Sequence, residues 1–267
     1  MTGTGTQADP YIVSTWEDFV TAIGTEQAYV EFPENTIINM NDVIPEGIDE
    51  MIYIKCTQFD AKGGEIKNLF FTTGGRFIMD TSVNTSTIIK NLKLINMRAD
   101  DEGFRLFRNG KMQNCIISGS FGGEEMFDLS SNSFVLEGCS VNAQLQNGTK
   151  FTASYWNDDR SLNVKNSIIN LSGSVRSDGG TLVLNNSILQ GKIPTTLFYT
   201  FYNSFIDCIV PANTSLSGGG YTNDKGYINS SKFEEGVTTT NQYIRITNEQ
   251  LQDVNYLFDI GFPIGVD

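Results

Sequence analysis

One arrangement of apolar and polar positions keeps returning along the chain, first in Ile66-Lys67-Asn68-Leu69-Phe70-Phe71. An apolar residue stands two before an Asn and another stands three after it. The unit recurs around Asn91, Asn114, Gly138, Asn166, Asn186 and Asn203, seven copies in all. Apolar residues at period two predict short strands on either side of the central position. Gly138 replaces Asn in the fourth copy, and Gly and Asn are the residues that enter the left-handed backbone region most cheaply. The pattern therefore predicts strand, tight corner, strand. Successive corners lie 23, 23, 24, 28, 20 and 17 residues apart, the period of a solenoid in which one interval is one coil. Stacked coils place equivalent residues ~4.8 Å apart, so seven coils make a rod at least ~30 Å long. The flanking apolar residues then form inward rows, and the Asn side chains hydrogen-bond up one corner column.

The flanks read differently. Thr15 with Asp18 predicts a capped helix whose apolar face is Trp16, Phe19, Val20 and Ile23, closed by Gly24. Thr247-Asn248-Glu249-Gln250 is a capping box, and Leu251, Val254, Leu257 and Phe258 make the stripe of a second helix, closed by Gly261. Solenoids have open ends, so both helices are expected as lids. The division predicted is residues 1–28 as arm and capping helix, 29–215 as coils, and 216–267 as an irregular segment with a capping helix.

The corner Asn residues resemble those of right-handed parallel β-helix proteins, the pectate-lyase-like superfold, over about residues 30–215. The resemblance implies an all-β, right-handed single-stranded parallel β-helix solenoid with short helical caps. The opening, with Asp9-Pro10-Tyr11-Ile12, Thr15-Trp16-Glu17-Asp18-Phe19 and Tyr29-Val30-Glu31-Phe32, resembles the entry of β-helical proteins of bacteriophages and of the bacteria that carry them. The ending, from Gln250-Leu251 to Gly261-Phe262-Pro263-Ile264, is similar to endings of phage and bacterial surface β-helix proteins. These likenesses imply a virion component such as a tail or head fibre, a tailspike or a capsid decoration. A superfold hosts many functions, so activity has to be sought in residues.

Charge and composition narrow the chemistry. Eighteen basic against 31 acidic residues leave a formal charge of −13, which argues against binding nucleic acid or an anionic membrane. No apolar run approaches the ~18 residues of a membrane span. The absence of histidine removes Ser-His-Asp and Cys-His catalysis and His-ligated metal sites. No cofactor and no metal are expected. Cys56, Cys115, Cys139 and Cys208 are read as small buried thiols. Met1-Thr2-Gly3-Thr4-Gly5-Thr6 carries no basic region or apolar core of an export signal, so assembly in a host cytoplasm and residence in the virion are expected.

Two clusters are candidate sites. Asp101 and Glu102 stand ten and eleven after Asn91, as Glu124 and Glu125 do after Asn114. A constant register stacks these pairs on neighbouring coils, where carboxylates share a calcium ion, divide acid and base roles, or line a solvated edge. The longest interval holds Tyr155, Trp156, Asp158, Asp159 and Arg160. A ring face beside forked hydrogen-bonding groups suits host-surface polysaccharide, and equally a subunit contact. The catalytic motifs of the superfold are missing. Trp-Ile-Asp-His, Arg-x-Pro-x-x-Arg and Gly-His-Gly do not occur, and Arg245-Ile246-Thr247 only approaches Arg-Ile-Lys. The function expected is a non-enzymatic structural or adhesive part of a phage particle. The alternatives are a polysaccharide lyase or glycoside hydrolase and a bacterial surface adhesin. The partners expected are other virion proteins and further copies of the chain, as a homotrimer through outward Phe198, Tyr199 and Tyr202.

Overall fold

The computed structural model describes residues 1–72, 76–79, 87–100, 105–108, 110–129, 133–146, 148–153, 160–173, 176–178, 181–192, 198–216, 226–239 and 243–262. For 76–79, 105, 106, 153, 176–178 and 198–202 the description is of the backbone. The chain is a parallel β-solenoid of about six turns. Among the described residues its strands form sheets of nine, eleven, six and two strands.

A middle coil shows why. Phe134–Glu137 lies in the nine-stranded sheet, Ser140–Leu145 in the eleven-stranded sheet and Lys150–Ala153 in the six-stranded one. Ser161–Lys165 then returns to the nine-stranded sheet, with Leu162 over Phe134 and Val164 over Leu136. These four apolar side chains are buried. Period-two alternation in the sequence thus becomes inward rows along the rod, and their burial drives the stacking.

The corner between the nine- and eleven-stranded sheets is held by Asn91, Asn114, Gly138, Asn166, Asn186 and Asn203, all at φ between 45° and 64°. Asn114 Nδ2 donates to Asn91 Oδ1 at 3.5 Å, and Asn203 Nδ2 to Asn186 Oδ1 at 2.9 Å. Beside this column runs a buried one made of the next residue in each coil: Leu92, Cys115, Cys139, Ser167, Ser187 and Ser204. Cys139 N donates to Ser167 Oγ (2.9 Å), Ser167 N to Ser187 Oγ (3.2 Å) and Ser187 N to Ser204 Oγ (3.1 Å). Hydroxyls supply acceptors that the tight corner denies to these buried N–H groups.

Asn68 is not in the corner column. Its φ of 57° breaks Glu65–Lys67 from Phe70–Phe71, and both strands pair with Lys93–Ala99 in the eleven-stranded sheet. It belongs to a second column in mid-sheet. Asn68 Nδ2 donates to Asn39 Oδ1 at 2.8 Å, and Asn96 Nδ2 donates to Asn68 Oδ1 at 2.7 Å. The corner of that coil comes earlier, at Lys62 and Gly63 with φ of 51° and 83°, and Asn91 Nδ2 reaches down to Asp60 Oδ1 at 2.8 Å.

Both ends carry helices. Trp16–Ile23 is capped by Thr15 Oγ1, which accepts from Asp18 N at 3.2 Å, and it places Phe19 5.6 and 5.1 Å from the rings of Phe32 and Phe59. The long sheet continues past residue 215, through Gly226–Asn229 and Tyr243–Ile246. The capping box forms, with Thr247 N donating to Gln250 Oε1 (2.9 Å) and Gln250 N to Thr247 Oγ1 (3.3 Å). It opens a single 3-10 turn, Gln250–Gln252. The α-helix restarts on Asp253 as Val254–Asp259. The restart changes the phase of the predicted stripe: Leu257 is buried, whereas Val254 and Phe258 are 67% and 78% exposed. Leu257 packs with Tyr227 and Ile246 in a cluster separate from the interior, to which the neighbouring Ile228 belongs. The helix therefore shields the last strands from their outer side.

Candidate functional site

Asp101, Glu102, Tyr155, Trp156, Asp158 and Asp159 lie outside the described residues. Arg160 is described, and its Nη1 donates to Leu129 O at 3.4 Å, on the preceding coil. Glu124 sits half-buried at the bend that leads into Glu125–Asp128.

Asp101 and Glu102 lie outside the described residues, so of the expected carboxylate stack the structure gives the register on either side of it. The register offset between the two coils is 23 residues at Lys93↔Ile116, 22 at Met97↔Gly119 beyond a bulge, and 20 at Arg105↔Glu125. Glu125 is therefore level with Arg105 on one side and Lys150 on the other. Glu125 and Asp128 are both fully buried, and Arg108 Nε stands 3.4 Å from Asp128 Oδ2. Arg108 and Asp128 are level in the register as opposite charges on adjacent strands. Pairing of this kind compensates carboxylates that burial would otherwise penalise heavily.

The carboxyl and thiol groups with displaced pKa values serve the structure. The Lys67 and Lys93 ammonium groups hold the Glu65 carboxyl below the usual range, as Lys111 and Gln113 do for Glu137. Burial pushes the Cys56 thiol up to about 12 and raises Cys208, and contact with Cys139 together with burial raises Cys115. These three thiols stay protonated at neutral pH, unlike the thiolates that act as nucleophiles.

The surface that stands out is the outer face of the eleven-stranded sheet. Register puts Ile116, Ser140, Ile168 and Ile188 in one outward row, and Phe205, Tyr227 and Ile244 continue it. A second outward row is Ser118, Asn142, Asn170 and Gln190, and a third is Ser120, Gln144 and Ser172. Asn170 Nδ2 donates to Asn142 Oδ1 at 3.3 Å. None of these eleven positions from Ile116 to Gln190 is charged, in a chain with 49 charged residues (18 basic and 31 acidic). Charge resumes at the borders, with Lys93 on Glu65 at 3.2 Å and Arg98 level with Ser120 on one side, and Lys192 at the end of the Ile188 strand and Lys232 on Asp207 at 2.8 Å on the other. Sequence reasoning missed this face. Its signal is the alternation after each corner, visible in Ile116-Ile117-Ser118 and Ile168-Ile169-Asn170, but rows exist only once the register is known.

No family model matches the chain, and no curated protein sequence matches it. Among solved structures it is similar to one described as a "putative immunoglobulin A1 protease" from Bacteroides ovatus. The identity is 14%, over 93% of this chain and 80% of that one, with a TM-score of 0.39. Neither the identity nor the score bears on activity. The β-solenoid fold of this chain rests on its own strand ladders.

Proposed function

We propose that this chain is a non-enzymatic, self-associating structural or adhesive rod of a bacteriophage particle, of the fibre, spike or decoration type. The observation that carries the reading is the uninterrupted outer face of the eleven-stranded sheet. Its in-register amide, hydroxyl and isoleucine rows offer extended contact along the rod, whereas catalysis asks for groups that converge on one point. A stacked solenoid is rigid and sealed by its own neighbours, which suits a part exposed to the medium. The phage assignment rests on the likeness of the two chain ends to phage β-helix proteins. Adhesion to host-surface polysaccharide rests on the hydrogen-bonding rows and on the 155–160 segment.

Incubation with host-envelope polysaccharides tests the non-enzymatic part. The expected result is no new reducing ends and no absorbance from an unsaturated product, with or without calcium. Chain shortening that is abolished by Asp101→Asn together with Glu124→Gln would make the protein a polysaccharide-degrading enzyme.

A further inference from the structure

We propose that copies of this chain bind one another through the outer face of the eleven-stranded sheet, between the strands of Ile116 and Ile188. The inference deepens the self-association proposed above, and it does not depend on the virion role.

Three observations lead there. First, Ile116 and Ile168 are 39% and 45% exposed in the middle of a sheet face where each strand is fully paired. Ile168, Ile188 and Phe205 are consecutive in that row and only Ser140 separates them from Ile116, and exposed apolar positions clustered in this way mark interaction surfaces. Second, the same row is already covered where it continues. Phe262 lies 5.2 Å from Phe205 and 5.0 Å from Tyr227, ring to ring, and Leu257 joins Tyr227 in the cluster beneath the C-terminal helix. The chain covers one end of the row itself and leaves the Ile116–Ile188 stretch open.

Third, the chemistry of the face is self-complementary. Chains of −13 repel one another, and contact costs least where neither copy carries a charge. The flanking rows are amides and hydroxyls, which donate and accept equally well, so one such face hydrogen-bonds to another copy of itself. The borders, with both Lys93–Glu65 and Lys232–Asp207 pairs, supply the polar rim that surrounds an uncharged interface centre.

Size-exclusion chromatography with light scattering, on the full chain, tests the proposal. Wild type is expected to run at a multiple of 29.5 kDa. The variant Ile116→Glu with Ile168→Glu, which sets like charges against each other across the contact, is expected to fall to the monomer mass with an unchanged unfolding midpoint. Tyr53→Glu, at a 45% exposed position on the six-stranded sheet, is expected to keep the wild-type mass. An assembly that survives Ile116→Glu with Ile168→Glu overturns this face while leaving self-association standing. A wild-type chain that stays monomeric at its highest soluble concentration overturns both. Neutral polysaccharide binding by a monomeric wild type, lost in the double variant, would assign the face to sugar instead.

Discussion

Asn114 holds a φ of 52° that an ordinary side chain resists, and its amide bonds to the Asn91 corner below. Asn114→Val is expected to destabilise by about 1–3 kcal/mol, from left-handed strain and a lost bond, read as a lower denaturation midpoint in urea. Ser187 works one step inside. Its Oγ accepts from Ser167 N and donates to Asn185 O at 2.7 Å. Ser187→Ala leaves a buried N–H unsatisfied and is expected to cost about 1–3 kcal/mol. Cys139→Ser places a hydroxyl where the column already accepts hydroxyls, and the same titration is expected to show a much smaller change. At this scale the corners from Asn91 to Asn203 are legible in sequence, because the left-handed backbone admits few residue types. Asn68 carries the same local signature for the same reason, since a mid-sheet kink between two inward apolar residues makes the same demand as a corner. Its 23-residue distance from Asn91 imitates one coil.

Elements follow from period and phase. The first helix was readable because Thr15, Trp16, Phe19, Ile23 and Gly24 specify cap, buried face and stop together. Phe19→Ala, at 2% exposure between Phe32 and Phe59, is expected to cost about 3–5 kcal/mol in thermal or chemical unfolding. Phe258→Ala, at 78% exposure, is expected to stay within about 0.5 kcal/mol. Its place in the predicted stripe failed because Asp253 caps a new helix and shifts the phase. The expected carboxylate column rests on Asp101 and Glu102, outside the described residues, and the register on either side of them is not constant. Counting from the corner assumes equal coils, whereas the register offset is 23 at Lys93, 22 past the bulge near Asn96 and 20 at Arg105.

Sheet electrostatics add a pH dependence. Glu65 has its folded pKa depressed by Lys67 and Lys93, the closest contacts being 2.8 and 3.2 Å. A depressed carboxyl contributes stability above its unfolded pKa and loses it as pH falls through the folded value. The midpoint difference between wild type and Glu65→Gln is therefore expected near neutrality, to shrink in acid and to vanish below the folded pKa. The effect is modest, since both lysines are largely solvated. A difference that persists unchanged in strong acid would separate the loss from ionisation of Glu65.

For the whole molecule, repetition makes the fold legible and function hard to read. Each coil repeats the same inward rows, so the six corners from Asn91 to Asn203 were enough to point to a parallel solenoid even with Asn68 counted among them. Outward positions answer to no such rule, and the uncharged face emerges only when Ile116, Ile168 and Ile188 are brought level by the ladders. The most direct test of the proposed role is to purify the particles that carry this protein and label them with antibodies against the folded chain. Under electron microscopy the account expects label at a fixed, repeated position on intact particles, with the chain present at constant stoichiometry in their protein content. Particles that neither bind the antibody nor contain the chain would contradict it.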